Sequence, residues 1–161
     1  MVLKEPYLDK KIIFMKKKVS NLNSEKVLDL VGIGNAIVDI IVNVEDKFLD
    51  INNLQKGSMN LIDNKGSKNI LDQCNILKKV SGGSAANTIV ALANFGHKVE
   101  FIGRVKDDEF GRFFSSDIKD SGTIFQIQPV QSLEDSAHSI ILITPDAQRT
   151  MCTYLGASVE F

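Results

Sequence analysis

Three groups of residues in this sequence have types and spacings suited to chemistry. The first is a carboxylate inside an apolar run: Asp39 stands within Ala36 to Val44, a β-branched stretch. A buried, unpaired carboxylate there would cost several kcal/mol, so Asp39 must face solvent, a cavity or a ligand. An ionised carboxylate accepts hydrogen bonds from neighbouring hydroxyls, which suits a sugar diol, and Asn35 is placed to project beside it. The second group is Ser81-Gly82-Gly83-Ser84-Ala85-Ala86-Asn87-Thr88. Two glycines let backbone approach a ligand closely, Ser84 reads as a helix cap, and Asn87 falls in the first turn, directed toward the same pocket. No Gly-Lys-Ser/Thr follows, so this is not a P-loop. The third is Arg149, after Thr144-Pro145-Asp146-Ala147-Gln148. Its forked, permanent charge suits an anion such as a transferring phosphoryl group, and Met151 and Leu155 follow on the same strand face.

Gly32-Ile33-Gly34-Asn35-Ala36-Ile37 begins like a dinucleotide fingerprint. Ile37 stands where the third glycine belongs, and the run continues as a strand rather than a helix. A pyrophosphate site needs a helix N-terminus there, so a nicotinamide cofactor is not expected.

These groups need elements to hold them. Val27 to Gly34 reads as a strand running into a turn, followed by strands over 36–44 and 57–62. Asn64 to Leu77 has helical spacing at Ile70, Cys74 and Leu77. Ser84 to Phe95 reads as a helix with Ile89, Leu92 and Ala93 on one face, closed by Gly96. A strand over 99–105 precedes a helix capped by Asp107, with Phe110, Phe113, Phe114 and Ile118 on one stripe and an end at Ser121-Gly122. Strands follow at about 123–130, 137–144 and 149–155, the last two joined as a hairpin at Pro145-Asp146. Alternating strands and helices imply an α/β fold with a mainly parallel sheet, and the strands at 36–44 and 57–62 look like a small antiparallel flap. Ligands of such sheets bind outside the carboxyl ends of the strands.

Composition bounds the rest. With 161 residues, 43% hydrophobic and 24% charged, the chain fits one globular domain or part of one. A formal net charge of -1 argues against nucleic acid as a partner, and no apolar run reaches the ~18 residues of a membrane span. Two cysteines and two histidines make neither a disulfide framework nor a zinc cluster, which leaves metal sites unassigned and points to a reducing, cytoplasmic setting. Residues 1–24, with Lys16-Lys17-Lys18, read as a flexible basic tail; Met15 is a plausible true start.

Five stretches in order resemble the ribokinase (PfkB) family of sugar and nucleoside kinases, with the adenosine-kinase-like branch the nearest in pattern. They are Val31 to Asp39 (VGIGNAIVD), Lys56 to Asp63 (KGSMNLID), Ser81 to Thr88 (SGGSAANT), Phe101 to Gly111 (FIGRVKDDEFG) and Thr144 to Met151 (TPDAQRTM) with Thr153 to Ala157 (TYLGA). The resemblance implies a three-layer, Rossmann-like α/β domain over 25–161 with a β lid formed near 36–44, 57–62 and 137–155. It implies an ATP- and Mg2+-dependent kinase acting on a small-molecule sugar or nucleoside, adenosine first. Asp39 would hold two sugar hydroxyls, with Asn35, Gly82, Gly83, Ser84 and Asn87 around it. Ile37, Met151 and Leu155 would contact a base, and Arg149 would meet the phosphate in transfer. Ser136-Ala137 stands where the family often has Thr-Gly, which puts the lid's entry geometry in question. The family's Gly-Ala-Gly-Asp run, which carries the general base and anion hole, does not occur, so the chain reads as a truncated N-terminal half with its ATP site largely missing. The alternative is a non-catalytic binding module, dimerising through its lid strands.

Overall fold

The structure is a computed structural model describing residues 14–15, 28–126, 131 and 134–160. The expected tail lies outside these residues, apart from the short strand β1 (Phe14–Met15).

Two sheets organise the chain. The first has the order β1-β2-β6, with β2 (Leu30–Ile33) parallel to β6 (Val99–Ile102) and antiparallel to β1. The second has five strands in the order β4-β8-β7-β3-β5: β4 (Met59–Leu61), β8 (Arg149–Tyr154), β7 (His138–Ile143), β3 (Ile37–Asn43) and β5 (Lys78–Gly82). Its pairings alternate: β4 is parallel to β8, β8 antiparallel to β7, β7 parallel to β3, and β3 antiparallel to β5. The α/β class holds, but the flap expected to be small and antiparallel is the larger sheet and is mixed. Strand β5 was hidden because Lys78 to Gly82 carries no apolar alternation; it is edge backbone, held by the Ser81 N–H donating to Asp117 Oδ2 at 2.6 Å.

Four α-helices occur among the described residues: α1 (Asp46–Ile51), α2 (Asn64–Leu71), α3 (Ser84–Asn94) and α4 (Glu109–Asp120). The stripe on α4 buries Phe114 and Ile118, and Phe114 packs with Phe101 of β6 and with Phe125, ring centroids 5.9 and 5.5 Å away. Helix α3 buries Ala85, Ala86 and Ile89 and packs on β2 and β6. Its small first-turn residues let the helix sit close to the sheet.

Several boundaries differ from the sequence reading. Helix α2 stops at Leu71, and Cys74 and Leu77 lie beyond it, so their spacing was coincidental. Asp108 rather than Asp107 caps α4, its Oδ1 accepting from Gly111 N at 2.8 Å. Ser84 is the first helical residue of α3; Gly83 takes the cap position at φ +96°, and no side chain caps the helix. The strand expected over 123–130 reduces to one parallel bridge, Ile124 with Glu100, and residues 127–130 lie outside those described. Ala137 does not have positive φ, so it needs none of glycine's freedom; Ala147, at φ 63° in the β7–β8 turn, does adopt that region.

Candidate functional site

The lid sheet folds one face over the carboxyl end of β2 and the start of α3. Between them lies a cavity of about 940 Å³ lined by Asn35, Ile37, Asp39, Gly83, Ser84, Asn87, Met151 and Leu155, together with Met59, Leu61, Ser139, Thr153 and Val159.

Alternation on β3 decides which residues reach it. Val38, Ile40 and Val42 are buried in the core, which turns Ile37 and Asp39 to the other face. Asn35 comes from the turn between β2 and β3, where Gly34 N–H donates to Ile102 O at 3.1 Å. Asn87 sits one turn into α3, its N–H donating to Gly83 O at 2.9 Å.

The paired glycines are there for space. A Cβ at Gly82 would lie 2.3 Å from Asp39 Oδ2, so the carboxylate occupies the volume a side chain would take. A Cβ at Gly83 would lie 2.5 Å from the Asn35 carbonyl oxygen, and its φ of +96° is strained for any other residue. Gly82 thus supports Asp39 from beside the cavity rather than lining it.

Asp39 is half-buried and accepts no hydrogen bond from any described residue. Burial alone pushes its carboxyl up from 3.8 to about 6. Desolvation without a compensating donor marks a group that awaits one, since it is stabilised only when hydroxyls or amides are brought to it.

Arg149 is not brought to this cavity. It opens β8, opposite Ile143, and is exposed. It shares strand parity with Met151 and Thr153 but lies four residues before Thr153, about 13 Å along the strand.

The sequence reading missed five lining residues. Met59 and Leu61 alternate along β4, Ser139 is a polar position in the largely apolar β7, and Thr153 shares parity with Met151 on β8; period two is the signal for all four. Which face they share depends on register, which the sequence does not display. Val159 lies in the 3₁₀ turn Gly156–Val159, where no periodicity applies.

Among the described residues no group of three or more His, Cys, Asp or Glu side chains could hold a metal ion, and no helix is long and apolar enough to cross a membrane.

A parallel αβ unit whose mixed β lid covers a carboxylate-bearing cavity defines an α/β protein of the ribokinase-like fold. Comparison with known proteins agrees. The pattern described as pfkB family carbohydrate kinase matches residues 29–161, and the chain belongs to that family. The adenosine kinase of Sinorhizobium meliloti is 42% identical with a TM-score of 0.74, over 80% of this chain and 39% of its own. A probable sugar kinase of Rhizobium etli is 41% identical with a TM-score of 0.73, over 80% and 39%. Among curated relatives, the 5-dehydro-2-deoxygluconokinase of Bacillus subtilis is 30% identical over 62% of this chain and 24% of its own length. The chain therefore spans well under half the length of these relatives.

Proposed function

We propose that this chain forms the acceptor-binding part of an ATP-dependent kinase that phosphorylates a hydroxyl of a nucleoside or sugar, with adenosine as the acceptor of choice. The observation that carries the reading is Asp39: a carboxylate that accepts from no described residue, set against Gly82 at a cavity lined by both apolar and uncharged polar side chains. A vicinal diol supplies two O–H donors to one carboxylate. Asn35 and Asn87 line the same cavity with groups that both donate and accept, which suits further hydroxyls. Ile37, Met59, Leu61, Met151, Leu155 and Val159 offer an apolar wall of a kind a bare hexose would leave uncovered and a heterocyclic base would fill. The 42% identity to an adenosine kinase supports the same choice.

A phosphoryl donor such as ATP, with magnesium, supplies the group to be transferred. The described residues do not fit that pair: they hold no acidic cluster for the metal, and the sequence has no Gly-Lys-Ser/Thr loop. What these residues do is bind the acceptor, fix its hydroxyls against Asp39 and exclude water beneath the lid. Arg149 stands outside the cavity at the far end of β8 and is assigned to the negative charge of the transferring group, which a donor site beyond the described residues would bring to it.

Titration calorimetry of the full chain with adenosine, ribose and fructose, paired with an ATP-dependent phosphorylation assay, tests the proposal. Binding of none of them sinks it. In a longer form of the protein that supplies the phosphoryl-donor site, Arg149→Ala is expected to lower kcat by about tenfold or more, the effect of removing one charge-assisted contact made only in transfer, while acceptor affinity moves less than about twofold. An equal loss in both would reassign Arg149 to acceptor binding.

A further inference from the structure

The lid's hydrogen-bond register places a row of polar groups on the ceiling of the cavity. Leu61 pairs with Thr153, Thr153 with Ser139, Ser139 with Asp39, and Asp39 with Val80, so one rung crosses all five strands. Three consecutive members of that rung, on β8, β7 and β3, are polar and line the cavity, while Met59, Met151, Ile37 and Leu61 around them are apolar. Residues in one rung project to the same face.

Ser139 and Thr153 are each 5% exposed. Their hydroxyls are hydrogen-bonded to each other at 2.8 Å. Two hydroxyls own two O–H donors, and their mutual bond uses one. Neither hydroxyl makes a further hydrogen bond to a described residue, and Asp39, next along the rung, accepts from neither. One nearly buried donor is thus left over in a ligand-sized cavity. A polar group this far from water is costly unless a partner arrives. The partner must offer a lone pair. It must also belong to the part of the ligand that lies among apolar side chains, because the acidic end of the rung is committed to hydroxyl donors.

We propose that the Ser139–Thr153 pair is a second recognition element of this cavity, donating its spare O–H to a ring nitrogen on the heterocyclic part of a nucleoside whose sugar is held by Asp39. This inference rests on the acceptor-binding reading and sharpens it: plain sugars lack the lone pair at that position, so the pair would select nucleosides over them.

The test is calorimetric titration of the full chain with adenosine and its 1-deaza, 3-deaza and 7-deaza analogues, each of which replaces one ring nitrogen by C–H. One analogue is expected to bind about 3- to 10-fold more weakly than adenosine, the worth of one net hydrogen bond. In the double variant Ser139→Ala/Thr153→Val, which removes both hydroxyls at nearly constant shape, that gap should close to under twofold. Thr153→Ser, which keeps both hydroxyls, should retain it. Thermal melts of each variant confirm folding. An unchanged gap in the double variant overturns the proposal, as does equal binding of all analogues by the unsubstituted chain. So does a double variant that shifts only the pH midpoint of binding, since the hydroxyls would then serve Asp39. Binding of ribose or fructose but of no nucleoside refutes the ring-nitrogen assignment and leaves the acceptor site standing; binding of no polyol at all removes both.

Discussion

Asp39 and Asp135 are two carboxylates of the same lid treated in opposite ways. Asp39, on β3, faces the cavity without a donor, and its carboxyl is pushed up to about 6 by burial. Asp135, in the bend that leads into β7, accepts from Lys106 Nζ and from Asn64 Nδ2, each at 2.8 Å. Those two bonds, Lys106 first, hold its carboxyl down at about 2. The surroundings follow the same division. Around Asp135, Ser136 N–H donates to Asp108 Oδ2 at 2.7 Å, Lys106 N–H donates to Ser136 Oγ at 2.8 Å, and Tyr154 O–H donates to Glu134 Oε2 at 2.5 Å. Buried His138 is hydrogen-bonded to Ser67 Oγ and Ser136 O, and burial keeps its imidazole below the ordinary value. The polar side chains around Asp135 are satisfied within the chain, whereas at the cavity Asp39 accepts from no described residue and the Ser139–Thr153 pair keeps one spare O–H. Unmet hydrogen-bonding capacity, rather than polarity itself, separates the site from its support.

The sharpest way to break this comparison is to remove each carboxylate. Asp39→Ala should weaken acceptor binding by about 10²- to 10⁴-fold, the loss of two charge-assisted bonds, read by calorimetry. The same change should raise the melting temperature at pH 7. A carboxyl whose folded pKa lies above its unfolded value favours the fold below pH 3.8, and that contribution is lost as pH rises through about 6. At neutral pH the charge therefore opposes folding, by on the order of 1 kcal/mol after discounting for solvent access. Asp135→Asn should do the reverse, lowering the melting temperature and leaving affinity within about threefold. If both variants move stability in the same direction, the division fails.

Gly82→Ala comes next in size. The new methyl would displace the Asp39 carboxylate from its place 2.3 Å away. Overpacking of this kind costs about 1–3 kcal/mol, which predicts a 5- to 150-fold loss of affinity in the same titration. Unchanged affinity would mean that Asp39 need not stand where the glycine allows it.

The pH profile gives a smaller effect. Hydroxyl donors bind the ionised carboxylate, so acceptor affinity should rise about tenfold between pH 5 and 7, with a midpoint near 6. Asp39→Asn should flatten that rise. Smallest is the acid limb of stability. Asp135 has a lowered pKa, so its contribution is complete above pH 3.8 and drains away as pH falls toward about 2. On the order of 1 kcal/mol is at stake for this partly exposed group, and Asp135→Asn should remove that part of the slope in a chemical denaturation series.

Much of the cavity was legible from residue chemistry alone. A carboxylate in an apolar strand and two glycines before a helix both demand an explanation, and the structure sets them against each other. What stayed hidden depended on pairing. Ser139 and Thr153 look like unremarkable strand residues until β7 and β8 are placed in register, because 14 residues and a turn separate them. The balance of the two sheets was also unreadable: β3 pairs in parallel with β7, a contact no local pattern encodes. Local chemistry misled at two caps. Asp107 and Asp108 are equally good cap residues, and only the geometry of the Ser136 loop selects the second. Ser84 has the right chemistry for a cap, but Gly83 alone tolerates the positive φ that the approach to Asn35 requires.

The parallel pairing of β3 with β7 also fixes when the lid can come into being. Asp39 and Ser139 are neighbours in one rung, yet their positions are 100 apart in the sequence. At a synthesis rate of about 5–20 residues per second, β3 leaves the ribosome roughly 5–20 s before the strand that will cover its flank. During that interval Ile40, Ile41 and Val42 present an unpaired edge to any passing chain. The roof of the cavity thus cannot close until β7 has emerged, and the segment that carries its key acid waits in the open until then.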